Sequence, residues 1–302
     1  MSSLSFTVGV RPPVALGEYR PKLPGLQGDG SRYWTETGKR HLPFIGIDSH
    51  RVAFYDAVSL ASPVCEGQIM KLGILKTDTV RPEWVPEFGE YPDMFMALLG
   101  RLDPQLEFEV YDAERSEYPD DINAVDAYLI TGSKSSVYED KAWIRTLEDF
   151  VRELDRHGKK MIGICFGHQL IAQALGGRTT KSDKGWGVGL HTYAFDKAPA
   201  WHDQGDADFS VLVSHQDQVV AVPEGTQVLA SSDFCENAVC QNGDHILTFQ
   251  GHPEFIPAYS QEIMDLRREV IGEDVYSGGV ASLQGQPERD RIGRWILNFL
   301  KS

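Results

Sequence analysis

From Met70 onward, short apolar runs alternate with amphipathic helical patterns, and this alternation constrains the fold more than any other feature of the chain. The first runs have the length of buried strands and occupy residues 71–75, 106–111, 127–130 and 160–164. Helical patterns separate them at 94–102 and 143–154. Because successive strands joined through helices pair in parallel, the sequence predicts an α/β sandwich with a mostly parallel central sheet flanked by helices.

The second half of the chain is richer in strand patterns. Further strands are expected at 189–195, 209–213, 227–229, 238–241 and 246–249, and helices at 168–175, 258–270 and 289–300. The segment 277–282, Ser-Gly-Gly-Val-Ala-Ser, is expected to be a flexible link before the last helix.

Residues 1–69 differ in sequence pattern from the rest of the chain. Prolines and glycines interrupt residues 11–29, and no helical or strand period survives them. We therefore predict an irregular or disordered N-terminal extension over 1–69 and a folded domain over 70–302. Met70 as the natural start of the functional chain is a hypothesis that follows from this boundary.

Composition excludes several classes of partner. The 302 residues carry 29 Lys and Arg against 44 Asp and Glu, a formal charge of −15, which repels nucleic acid and anionic membrane surfaces. The chain shows no spanning or signal segment, and its four cysteines form neither a disulfide framework nor a paired metal motif. We expect a cytoplasmic protein without a metal or cofactor.

The segment 160–169 carries the strongest chemical signal. A buried strand runs through Cys165, which lies between Gly163 and Gly167, and continues into a helix. This pattern is typical of a nucleophile elbow, in which small neighbours make room for a strained turn and the helix N-terminus favours a thiolate. The alternative is an ordinary buried thiol, with glycines that merely allow strand and helix to pack closely.

A histidine and a carboxylate downstream favour the nucleophile. In the segment 250–254, Gln-Gly-His-Pro-Glu, the side chains of His252 and Glu254 point the same way if the backbone is extended, as Pro253 favours. The imidazole can then serve Cys165 as a base while the carboxylate orients it. His215 lacks such a carboxylate, and His168 is expected to pack rather than to react.

These features together resemble the class I glutamine amidotransferase family. The likeness spans residues 70 to about 256 and rests on segments 163–169 and 251–254 and on the turn 128–134, Tyr-Leu-Ile-Thr-Gly-Ser-Lys. It implies a flavodoxin-like sandwich, a triad of Cys165, His252 and Glu254, and no cofactor. It also implies an oxyanion hole from the backbone of Phe166 with Gly132 or Ser133, and a glutamyl pocket at Gln169 and the turn that contains Ser214, His215 and Gln216.

The resemblance implies hydrolysis of a γ-glutamyl amide, glutamine to glutamate and ammonia, through a γ-glutamyl thioester. Synthase members of the family commonly carry Gly-Gly-Pro and Ser-His-Gly-Asp where this chain has Gly-Ser-Lys at 132–134 and Ser-His-Gln-Asp at 214–217. The second form is more similar to stand-alone members, including γ-glutamyl peptidases. Three readings stay open: a glutaminase that feeds a separate acceptor or synthetase subunit, a hydrolase of γ-glutamyl peptides or amine conjugates, and an inactive regulatory binding module.

Overall fold

The computed structural model describes residues 70–302 except positions 197, 204 and 206. The predictions for residues 1–69 lie outside the described residues. The strands are Lys71–Lys76 (β1), Glu107–Asp112 (β2), Ala127–Ile130 (β3), Lys160–Ile164 (β4), Arg178–Lys181 (β5), Gly187–Phe195 (β6), Asp208–His215 (β7), Asp217–Ala221 (β8), Thr226–Ser231 (β9), Val239–Asn242 (β10) and Ile246–Phe249 (β11). The α-helices are Val85–Phe88 (α1), Tyr91–Leu102 (α2), Ala142–Arg156 (α3), Phe166–Ala174 (α4), Pro257–Ile271 (α5), Glu273–Ser282 (α6) and Arg289–Lys301 (α7).

Within the described residues, nine strands form one sheet in the order β2-β1-β3-β4-β11-β10-β9-β6-β7. The five strands from β2 to β11 are parallel neighbours, as the alternation of strand and helix requires. The remaining four strands extend the sheet in antiparallel fashion. The predicted α/β fold with a large central sheet and flanking helices is confirmed.

Helices cover both faces of the parallel strands. On one face, apolar residues of α2 and α7 pack on β1, with Phe95 and Trp295 fully buried. On the other face, α3 and α4 pack on β3 and β4 and bury Tyr128 and Leu170. A strand flanked on both faces must be apolar along its whole length, which is why these strands read as continuous apolar runs rather than as alternating patterns.

One expectation about local structure was wrong, and one pair of strands was not predicted. The segment 277–282 is not a flexible link, because it lies in helix α6. A Cβ on Gly279 would lie 2.7 Å from Val188 Cγ2, so the glycine allows this helix to approach β6 closely. The short pair β5 and β8 was not predicted: β5 contains no apolar residue, and the apolar run of β8 is only three residues long, at 219–221.

No helix of the described part of the chain is both long enough and apolar enough to cross a lipid bilayer.

Candidate active site

Four neighbouring parallel strands end at one edge of the sheet, and the polar residues of the site directly follow these strand ends. The chain leaves β1 at Thr77, β3 at Thr131, β4 at Cys165 and β11 at Gln250. In open α/β sheets, ligand sites form at this carboxyl edge. Segments that are far apart in the sequence therefore meet because their strands are adjacent.

Cys165 occupies a strained turn between β4 and α4. Its backbone has φ 50° and ψ −98°, a conformation that costs a residue with a Cβ roughly 1–3 kcal/mol. The neighbouring glycines make this turn possible: a Cβ on Gly163 would lie 2.8 Å from the backbone of Gly167, and one on Gly167 would lie 2.4 Å from Ile130 O. The elbow geometry expected from the sequence is present.

The structure brings Cys165, His252 and Glu254 together. Cys165 and His252 lie against the same turn, since a Cβ on Gly132 would contact both side chains, and His252 Nδ1 lies 2.7 Å from Glu254 Oε1. The backbone N–H of His252 donates to Leu212 O at 2.8 Å, which ties this segment to β7. The expected extended backbone is replaced by a turn after His252, where Phe255 N–H donates to His252 O at 3.4 Å, but the side chains still meet.

Charges around His252 decide its protonation. Burial lowers the pKa of His252, but the influence of the neighbouring Glu254 and Cys165 outweighs burial, so that its pKa is raised above its usual range. Burial also lowers the pKa of His168 and of His215, each to about 3, and no carboxylate opposes it. His252 is thus the buried histidine at this edge that can hold a proton at neutral pH.

Two side chains that the sequence did not single out hold the base in place. The Phe255 ring stacks on the His252 imidazole with ring centroids 4.0 Å apart and planes 7° apart. Arg289, at the start of α7, donates from Nε to Pro253 O at 3.1 Å and from Nη2 to Glu254 O at 3.0 Å. A stacked ring and two donors fix the backbone and the imidazole together, but neither residue belongs to a recognisable motif.

The predicted oxyanion donors also lie at the site. A Cβ on Gly132 would lie 2.7 Å from His252 Cε1 and 3.7 Å from Cys165 Cβ, so the turn after β3 lies directly against the pair. Phe166 is the first residue of α4, and its N–H therefore has no acceptor within the helix. Ser133 follows in the same turn, and its Oγ accepts the backbone N–H of Ser135 at 3.1 Å.

The site opens into a cleft of about 480 Å³, a volume typical of small-molecule sites. Its lining includes the following residues that the sequence indicates: Ser133, Cys165, Gln169, Ser214, His215 and Gln216. Gln169 is held by the protein, because its Nε2 donates to Asp217 O at 2.8 Å and to Gln250 Oε1 at 3.1 Å. Ser214 and His215 are the last residues of β7, and Gln216 is the single residue that connects this strand to β8.

The cleft also has walls that the sequence did not predict as a group. Lys181 and Arg267 line it, and the Arg267 guanidinium lies 5.6 Å from the Trp186 ring centroid and donates to Ser214 Oγ at 3.1 Å. Leu266 adds an apolar surface that is 52% exposed. A held cation beside an exposed apolar wall suits a ligand that has both a carboxylate and an apolar part.

Among the residues that the structure describes, no group of three or more His, Cys, Asp or Glu side chains is placed to hold a metal ion.

Comparison with known proteins gives the family. The family described as "Glutamine amidotransferase class-I" matches residues 93–267, which is more than half of the chain. This protein belongs to the class I glutamine amidotransferase family. Gamma-glutamyl peptidase 3 of Arabidopsis thaliana is 32% identical over 226 residues, which cover 71% of this chain and 90% of the relative.

Two further comparisons give one more relative and one similar fold. A glutamine amidotransferase-like protein of Schizosaccharomyces pombe is 33% identical over 248 residues, covering 76% of this chain and 98% of that protein. The crystal structure of a glutamine amidotransferase from Thermotoga maritima superposes with a TM-score of 0.60 at 15% identity, over 77% of this chain and 96% of that one. The structural match bears on the fold, and the sequence matches bear on the family.

Proposed function

We propose that this protein is a cysteine-dependent γ-glutamyl hydrolase in which Cys165 is the nucleophile, His252 the general acid and base, and Glu254 the residue that orients and charges the imidazole. One observation carries the proposal: a cysteine in a strained elbow lies beside a histidine whose Nδ1 is 2.7 Å from a buried carboxylate. The cleft in front of the cysteine gives a substrate access to the sulfur.

In the first step, the Cys165 thiolate attacks the γ-carbonyl carbon of the substrate and forms a C–S bond. The carbonyl oxygen takes negative charge and faces the N–H of Phe166 and that of Gly132 or Ser133, each donor contributing roughly 10²- to 10³-fold to the rate. The C–N bond then breaks, and the leaving nitrogen takes a proton from the His252 imidazolium. The products are a γ-glutamyl thioester and a free amine.

In the second step, water replaces the amine. Neutral His252 takes a proton from the water as its oxygen attacks the thioester carbon, and the C–S bond breaks to release glutamate and the Cys165 thiolate. Glu254 keeps one ring tautomer throughout, because it accepts the Nδ1–H and leaves Nε2 for proton transfer. The cycle returns the thiolate and imidazolium pair.

The substrate that the cleft supports best is a γ-glutamyl peptide or amine conjugate, with glutamine as the second candidate. Arg267 and Lys181 provide positive charge in a chain of net charge −15, and Leu266 provides exposed apolar surface, so the cleft offers contacts that ammonia, the leaving group of glutamine, cannot use. The similarity to a protein named as a gamma-glutamyl peptidase supports the same choice. Glutamine is the substrate that gives the family its name.

The test uses the purified protein alone with glutamine and with a series of γ-glutamyl dipeptides. We expect release of glutamate from the dipeptides, a mass adduct of a glutamine-mimicking electrophile on Cys165, and loss of both in Cys165→Ala with an unchanged circular dichroism spectrum. Hydrolysis of glutamine alone, accelerated by an acceptor subunit, would instead favour an ammonia-producing amidotransferase. Neither turnover nor adduct would identify an inactive binding module.

The cellular location stays a prediction. The described cysteines, Cys165, Cys235 and Cys240, are all unpaired, in agreement with the reducing cytoplasm that we propose for this enzyme.

A further inference from the structure

The segment after β1 is bound to the turn after β3 through a buried carboxylate. Asp78 is only 3% exposed. Its Oδ2 accepts the backbone N–H of Lys134 at 2.8 Å, and its Oδ1 accepts the backbone N–H of Thr79 at 2.8 Å. Lys134 Nζ also pairs with Asp78. The turn that carries Gly132 and Ser133 is therefore anchored at its far end to an acid.

A buried threonine anchors the near end of the same turn. Thr77 is fully buried, and its hydroxyl lies 2.9 Å from Gly132 O and 3.1 Å from Thr131 O. Its backbone N–H donates to Thr131 Oγ1 at 3.1 Å. Thr77 and Asp78, which directly follow β1, thus hold the two ends of the turn after β3.

We propose that Asp78 is a positioning residue for the oxyanion hole, which acts with Thr77 by holding the 131–134 turn so that its backbone N–H faces the reacting carbonyl oxygen. This inference rests on the proposed γ-glutamyl hydrolase function. Neither residue lies among those that line the cleft in front of Cys165, so neither is a catalytic residue.

The residue type at position 134 explains why an acid is required. A proline there, as in the Gly-Gly-Pro turn, fixes its own φ and has no N–H to bond. Lys134 lacks that restraint, but it has an N–H that Asp78 accepts. Its ammonium group also balances the Asp78 charge, which would otherwise repel the negative charge that develops on the substrate oxygen.

The experiment compares two reactions of Cys165 that differ in their need for an oxyanion hole. Hydrolysis of a γ-glutamyl anilide passes through an oxyanion, whereas alkylation by iodoacetamide displaces iodide from a saturated carbon and does not. In Asp78→Ala, we expect kcat for the anilide to fall by about 10²-fold with KM little changed, because misplacement by about 1 Å has an effect of this size. The rate of alkylation at Cys165, followed by peptide mass spectrometry, should stay within about twofold of wild type.

Three variants complete the comparison. Asp78→Asn keeps an acceptor for the Lys134 N–H and should recover most of the lost rate. Asp126→Ala is the matched control, because the Asp126 carboxylate accepts the Lys71 backbone N–H at 2.7 Å between the same two strands, at the opposite edge of the sheet. It should lower the melting temperature without lowering kcat. If Asp78→Ala does not fold, Thr77→Val against Thr77→Ser gives the same two readouts.

The results of these assays distinguish failure of this inference from failure of the proposed function. A wild-type protein that hydrolyses no γ-glutamyl compound overturns the proposed function and this inference with it. A wild-type protein that hydrolyses the anilide, with Asp78→Ala and Thr77→Val equally active, overturns the inference alone. An equal loss of hydrolysis and alkylation in these variants also overturns it, because that result indicates general disorder of the site rather than a misplaced donor.

Discussion

His168 and His252 are nearly equally buried, at 1% and 4% exposure, yet their surroundings give them opposite properties. His168 Nδ1 lies 2.8 Å from the Thr248 hydroxyl, and burial lowers its pKa to about 3. His252 meets Glu254 and Cys165, and its pKa is raised. Burial alone therefore does not decide whether a histidine is charged, because a neighbouring carboxylate and cysteine together outweigh it.

Closeness to Cys165 in the sequence does not indicate which histidine lies beside the sulfur. His168 lies three residues after Cys165, on the helix that begins directly after the cysteine, whereas His252 follows a different strand. Because β4 and β11 are adjacent, the strand ends and not the sequence spacing bring the base to the sulfur. The comparison predicts that chemistry depends on one histidine and ordinary packing on the other.

The largest expected effect separates the two histidines directly. His252→Asn should lower kcat for a γ-glutamyl dipeptide by roughly 10⁴- to 10⁶-fold, because the leaving amine loses its proton donor and the thiol its base. His168→Asn keeps a group that can bond to Thr248 Oγ1 and should stay within about threefold of wild type. Steady-state release of glutamate measures both.

The different roles given to the two histidines are contradicted if His168→Asn loses more activity than His252→Asn, or if both variants lose activity equally. In the second case, thermal unfolding of the two proteins distinguishes a catalytic loss from an unfolded site. A stable His168→Asn protein without activity would show that the helix histidine takes part in the reaction.

A smaller effect on kcat is expected from replacing Glu254, the carboxylate that distinguishes the surroundings of the two histidines. Glu254→Gln keeps an oxygen for the Nδ1–H, but it removes the charge that raises the pKa of His252. Burial is then opposed by Cys165 alone, which favours the neutral ring more than in wild type. We expect kcat to fall by roughly 10²- to 10⁴-fold, less than for His252→Asn, with KM little changed.

The check on this prediction is the pH dependence of kcat/KM. In the proposed mechanism the wild-type protein requires a protonated imidazole beside a thiolate, and the pH range in which His252 is protonated should shrink towards lower pH in Glu254→Gln. A variant that retains wild-type kcat and pH profile would contradict the role given to Glu254.

The sequence predicted the parts of the site that depend on local pattern. Cys165 between two glycines and His252 two residues before Glu254 are short motifs, and the strand at 160–164 and the strand at 246–249 agree with β4 and β11. Order along the chain and parallel pairing then suffice to bring the motifs to one edge of the sheet.

The parts that depend on tertiary contact could not be predicted in the same way. Arg289 reaches the backbone of Glu254 from a helix that begins 35 residues later, and Asp78 reaches the turn at 134 from a different strand. Nothing in the composition of either neighbourhood marks such a contact. Helix α6 was missed for a related reason: its two glycines suggest a loop, but tight packing on β6 stabilises the helix.

The smallest expected effect is on stability, where the two histidines should act with opposite sign. The folded pKa of His168, about 3, lies below the value of about 6.5 in an unfolded chain, so only the unfolded state binds a proton as the pH falls below about 6.5. Stability is then lost towards lower pH, by about 2 kcal/mol at pH 5. For His252 the folded pKa is raised, so its stabilising contribution is full below about 6.5 and is lost as the pH rises through the folded value.

Urea unfolding at pH 5, 7 and 9 measures the two contributions separately. Relative to wild type, His168→Asn should lose less stability between pH 7 and pH 5. In wild type, proton binding by His168 stabilises the unfolded chain over this range, and the asparagine variant cannot bind that proton. His252→Asn should instead lose less between pH 7 and pH 9, since the charged pair that weakens over this range is already absent. The same change in slope for both variants would show that burial, and not the Glu254 carboxylate, sets the charge of the two histidines.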